Sequence, residues 1–293
     1  MLQSTDGHAS SHFVTSAGKR SAISMKSILS FVVAAVLAFT IFSCSKTEVD
    51  SIDPNGTGGL TLEFDNYVGG TNMALGTAQY KNTAGESFTV TTFNYFVSNI
   101  ELTKEDGTVV KVPNSYYLVR EADPKSLNVA LTGIPQANYA KVAFTIGVDS
   151  LKSQAPVTER TGALDTGSYG TDNMYWSWNS GYIFMKLEGI SPASTISGKA
   201  FQYHIGGYGG GFQGAARTAN NLRKITLSLG STSAKVRAAT TPTVHLIVDA
   251  AKALGGTNTI SFATTPTVHS PALAKPIVDN YVNMFVVDHV HND

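Results

Sequence analysis

From Leu60 onward the chain is a succession of short apolar–polar alternations, and a side-chain period of two suits strands with one buried face rather than amphipathic helices. Leu60-Thr61-Leu62-Glu63-Phe64 is the clearest case: its three apolar side chains share one face of an extended chain. Runs with strand composition follow at Ser87 to Thr92, Phe93 to Thr103, Thr108 to Val112, Tyr116 to Val119, Ser126 to Leu131 and Lys141 to Val148. Others occur at Tyr182 to Glu188, Lys199 to His204, Lys224 to Ser228 and Thr243 to Val248. Turn formers such as Glu105-Asp106-Gly107 and Gly133-Ile134-Pro135 separate them. Many short strands at this spacing predict an all-β sandwich or barrel. Helical spacing is confined to Ile277, Tyr281, Met284 and Phe285, in a short helix that Pro276 starts, and to a second short helix near Asp249 to Leu254. The 27 glycines and low charge content, 14%, match a secreted β protein. Equal numbers of basic and acidic residues, 21 each, argue against nucleic acid as a partner.

The N-terminal region predicts export. Residues 1–24 are polar and precede a serviceable start at Met25, so they read as an over-extended start, and His8 and His12 are discounted. Residues 25–44 read as a lipoprotein signal peptide: Met25-Lys26, an apolar run from Ile28 to Phe42, then small Ser43 before Cys44, the expected lipidation site. The alternative is an uncleaved membrane anchor, since the run approaches spanning length. Both place the remainder outside the cytoplasm, and the first makes it a lipid-anchored protein of the cell envelope, periplasmic or at the outer membrane. Residues 45–59 are a polar tether, and residues 60–293 are expected to form one domain. Cys44 is the single cysteine, so any metal must be held by His, carboxylate, Met or carbonyl oxygen.

Five histidines follow the tether: His204, His245, His269, His289 and His291. His289 and His291 are two apart and share a face of an extended chain, which suits one ion. In Phe201-Gln202-Tyr203-His204-Ile205, alternation sets His204 on the face opposite the core, and His269 stands in a Pro-flanked loop. His245, between Val244 and Leu246, reads as an exposed strand residue. The expected ligand set is therefore His204, His269, His289 and His291. Imidazoles suit copper first and zinc second, and Asp165 and Asp172 in a Gly-rich loop offer oxygens for calcium. Trp176 and Trp178 share a face in Met174-Tyr175-Trp176-Ser177-Trp178, for core packing, for lining a metal site, or for stacking sugar in a glycan-binding module. No GxSxG elbow, P-loop, HExxH or Rossmann fingerprint is present, so no enzyme is expected.

Several segments, taken in order, resemble the MbnP-like family of cell-envelope proteins: Phe93-Asn94-Tyr95-Phe96-Val97-Ser98-Asn99-Ile100, Gly147-Val148-Asp149-Ser150, Trp176-Ser177-Trp178 with Gly181-Tyr182-Ile183-Phe184, Phe201-Gln202-Tyr203-His204-Ile205-Gly206, and Asn283-Met284-Phe285 before His289-Val290-His291-Asn292-Asp293. The resemblance implies an immunoglobulin-like β-sandwich with long loops and copper binding outside the cytoplasm. It also implies a tryptophan, Trp176 or Trp178, oxidised to kynurenine beside the copper by a MauG-type dihaem enzyme related to cytochrome c peroxidases, with His204 as a ligand. An outer-membrane transporter is a further implied partner.

Overall fold

The computed structural model describes residues 50–177, 181–211 and 216–293. Cys44, the signal segment and Trp178 lie outside the described residues. The strands, in chain order, are β1 (Thr57–Val68), β2 (Thr71–Asn72), β3 (Tyr80–Lys81), β4 (Ser87–Lys104), β5 (Val109–Lys111), β6 (Tyr116–Arg120), β7 (Asn128–Pro135) and β8 (Ala137–Ile146). They continue as β9 (Tyr175–Trp176), β10 (Gly181–Ile190), β11 (Ala200–Gly206), β12 (Arg223–Ser228), β13 (Ala234–Val236), β14 (Thr243–Asp249), β15 (Thr267–Val268) and β16 (Phe285–His291). α-Helices are few and short; the longest in the described residues is Lys275–Tyr281.

Two mixed sheets result. The smaller has β16, β14 and β1 side by side, β1 also pairing with β2 and β7; the larger follows the path β12-β8-β4-β10-β11-β15 with five short strands added. β1 with β14 and β11 with β15 are parallel, and the other ladders are antiparallel. β4 merges the two runs that the sequence suggested, because no turn former interrupts Thr92-Phe93. Tyr95 pairs with Met185 of β10 and Val119 of β6, while Val97 pairs with Ile146 of β8 and Tyr117 of β6. One edge of β4 therefore serves β10 and then β8 in turn. Asn99 adopts a positive φ of 52° where the ladder slips, a conformation that Asn tolerates better than most residues.

The sheets meet through aromatic side chains. Phe64 of β1 lies edge-on to Tyr95 and Phe144, at 6.1 and 6.0 Å between centroids, and Phe285 of β16 does the same at 5.8 and 5.1 Å. Such pairs add about 0.5–1.5 kcal/mol each beyond the area they bury. Polar bonds cross the same interface: the buried Tyr95 hydroxyl donates to Asn66 Oδ1 at 3.0 Å, and Asn66 Nδ2 donates to Glu121 Oε2 at 2.9 Å. A second apolar cluster lies on the other face of the large sheet. Phe96, Tyr182 and Phe184 are covered there by Val148, Leu164, Tyr169, Met174 and Trp176. The long connection between β8 and β10 thus packs onto that face and brings Trp176 with it.

Candidate metal centre

The outer face of the large sheet carries a polar row beside this second cluster. Thr92 and Asn94 of β4 stand in register with Glu188 and Lys186 of β10, and these in turn with Gln202 and His204 of β11. The row extends to His269 because β15 runs parallel to β11 with Gln202 opposite Thr267 and Tyr203 opposite Val268, so the next step sets His269 beside His204. Tyr203 and Val268 point into the core, which leaves both histidines on the outer side.

The two imidazoles are stacked, with centroids 4.3 Å apart and planes 18° from parallel. His204 Nε2 lies 2.6 Å from Glu188 Oε1, which fixes the ring and leaves Nδ1 as the nitrogen to offer a cation. The hydrogen bond from His204 holds the Glu188 carboxyl below its usual range, helped by the charges of His204 and Lys186 against the opposing effect of burial. Burial, then the neighbouring His204, lowers the His269 pKa below 6.5 and favours the neutral ring that a metal requires. Lys186 is buried and donates to the Asp172 carbonyl and to the Asn173 carbonyl at 3.1 Å; burial lowers its pKa. Among the described residues the buried amide Nδ2 of Asn94 has no hydrogen-bond partner.

Trp176 completes this face. Its ring lies against Gly206, two residues along β11 from His204 on the same side, where a Cβ would come within 2.6 Å of Trp176 Cζ3. Trp176 is 6% exposed, so its face is packed against protein and offers no platform for a sugar. The Asp165 and Asp172 carboxylates considered for calcium have local tasks: Asp165 Oδ1 accepts from Gly167 N at 2.9 Å, and Asp172 Oδ2 accepts from Arg120 Nη1 at 3.4 Å.

The four histidines expected at one site are divided. His289 and His291 lie on β16, on the outer face of the small sheet, and the two sheets meet through their opposite, inner faces. Their neighbour is His245, which sequence alone placed as a bystander. A β-bulge explains the grouping: His245 pairs with His289 and Leu246 with Val287, so Asp288 is the extra residue and both Asp288 and His289 reach His245. Among the described residues, His245, Asp288 and His289 form a group whose ligand atoms all lie within 4.8 Å of one another.

Acid should weaken the fold through the His204 neighbourhood. His269 has a lowered pKa in the folded chain, so as pH falls through about 6.5 the unfolded chain takes up a proton that the folded one resists. The lowered Glu188 contributes stability that is present above its ordinary value of 4.5 and lost as pH falls through its folded value. Both effects have one sign. The denaturant midpoint should fall between about pH 7 and pH 5.5, and His269→Gln should shrink that fall.

Comparison with known proteins agrees with this architecture. The solved structure of MbnP from Methylosinus trichosporium is similar to this chain with a TM-score of 0.50 at 17% sequence identity, covering 71% of this chain and 83% of that one. No curated protein matches the chain. The sequence model of the MbnP family matches residues 57–270, a span that holds Trp176, Glu188, His204 and His269 and ends before β16. On that match over most of its length, the chain belongs to the MbnP family.

Proposed function

We propose that this chain is a copper-binding protein of the cell envelope, a lipid-anchored, elaborated immunoglobulin-like sandwich that captures or delivers the ion and is not itself an enzyme. The observation that carries the reading is the pairing of His204, held by Glu188, with His269 on the face that Trp176 covers. Two imidazoles with a carboxylate behind one of them suit Cu(II), and zinc would be the alternative occupant. Membership of the MbnP family supports copper over zinc at the level of the family.

His204 and His269 would hold the ion, Glu188 would orient His204, and Trp176 would shield one side from water. Copper bound there would supply Lewis acidity and a one-electron couple. Oxidation of Trp176 or Trp178 to kynurenine, by a MauG-type dihaem partner, belongs to the same proposal. An outer-membrane transporter would be the route of exchange.

The test is the metal content of protein isolated from its own host, together with the mass of the peptide containing Trp176 and Trp178. The expected result is stoichiometric copper and a peptide that has lost one carbon and gained one oxygen. Stoichiometric zinc with unmodified tryptophan would replace the copper reading with that of a structural zinc site.

A further inference from the structure

On the small sheet His245, Asp288 and His289 bring three potential ligand atoms within 4.8 Å of one another. Asp288 Oδ2 lies 2.7 Å from His289 Nδ1 and 3.5 Å from His245 Nδ1, so the two Nδ1 atoms converge on one carboxylate. The opposite nitrogens face further polar groups. His289 Nε2 is 2.8 Å from His291 Nε2, and His245 Nε2 is 3.7 Å from Glu63 Oε1 and 3.9 Å from Asp65 Oδ2. His245 Nδ1 is buried and, among the described residues, faces Asp288 without a well-aligned hydrogen bond. In the metal-free chain His289 Nδ1–H donates to the Asp288 carboxylate and its Nε2 faces His291; an ion entering between the three groups would take the place of that Nδ1 proton.

We propose that His245, Asp288 and His289 form a second metal site, for a first-row divalent transition-metal ion of the zinc and copper type, with His291, Glu63 and Asp65 as the groups that orient the two imidazoles. Two neutral nitrogens and one carboxylate oxygen make a donor set that selects such an ion over magnesium or calcium, which prefer oxygen throughout. The sequence supports the arrangement in two places. The bulge at Asp288 turns two consecutive side chains to one face, and the parallel ladder of β1 on β14 brings Glu63 level with His245. β16 lies at the edge of its sheet, paired with β14, so an ion held here would pin the C-terminal strand. Two of the three ligands also lie beyond residues 57–270 that the family model matches, whereas His204 and His269 lie within them.

The experiment is calorimetric titration of the metal-free full-length protein with Zn(II), in wild type, in His204→Ala/His269→Ala, and in that double variant combined with His245→Ala or Asp288→Asn. The double variant should retain one Zn(II) equivalent, and either added substitution should weaken that binding at least 100-fold. His291→Ala, which touches only an orienting group, should weaken it roughly 10-fold or more at unchanged stoichiometry. Asp288 is an exposed residue, so Asp288→Asn keeps the test meaningful if His245→Ala fails to fold, with circular dichroism as the check. A double variant that binds no Zn(II), or one whose binding survives Asp288→Asn in the folded protein, would overturn the second site. Loss of wild-type binding at the large-sheet pair alone is read separately, from wild type against the double variant.

Discussion

His204→Ala/His269→Ala should lower copper affinity by at least 100-fold while leaving the protein folded, and it should do so without touching the histidines of β16. The geometry explains why both residues matter. His204 is held by Glu188 at 2.6 Å and His269 stacks on it, so removing one ring leaves a single imidazole, which binds copper weakly in water. Glu188→Gln should give a milder loss of about 10–100-fold, because the ligand remains but its orientation and basicity change. Neither histidine belongs to the apolar clusters, and the sheet backbone carries their placement, so the melting temperature should move little. Competition against a chelator of known affinity measures these ratios when each variant is made in the Asp288→Asn background, which removes the small-sheet group as a competing site.

Gly206→Ala should cost about 2–3 kcal/mol of stability, the upper part of the overpacking range, and lower the melting temperature by roughly 5–10 °C for a domain of this size. An added Cβ would stand 2.6 Å from the Tyr182 carbonyl oxygen and 2.6 Å from Trp176 Cζ3. The carbonyl is backbone of β10, at the residue before Ile183, which pairs with Gly206, and has little room to yield, so the indole must move. Because Trp176 lies against Gly206, two residues along β11 from His204, and would flank the proposed copper site, the same variant should also weaken copper binding and change the aromatic circular dichroism signal. A control is available in His204→Gln, which keeps β11 and Gly206 and should leave that aromatic signal in place.

Much of the fold was legible because alternation reports burial. The burial of Phe201, Tyr203 and Ile205, with His204 on the other side, is what the pattern of apolar residues implies. The C-terminal helix was legible too, but it ends at Tyr281, and Phe285 instead begins β16 and packs between Tyr95 and Phe144. Tertiary packing decided that boundary. The short strands were harder: β9 and β15 have two residues each, too few to show a period, yet β15 alone sets His269 beside His204. Glu188 escaped notice because its relation to His204 depends on pairing between β10 and β11. The His-x-His spacing announced His289 and His291, whereas the role of His245 depends on a one-residue bulge at Asp288 that no local signal marks.

The most direct test of the central claim is anomalous diffraction at the copper edge from crystals grown with one equivalent of Cu(II). The account predicts one strong peak on the outer face of the large sheet, about 2.0–2.1 Å from a ring nitrogen of both His204 and His269, with Trp176 alongside. A peak confined to the His245, Asp288 and His289 group, with none near His204, would contradict it.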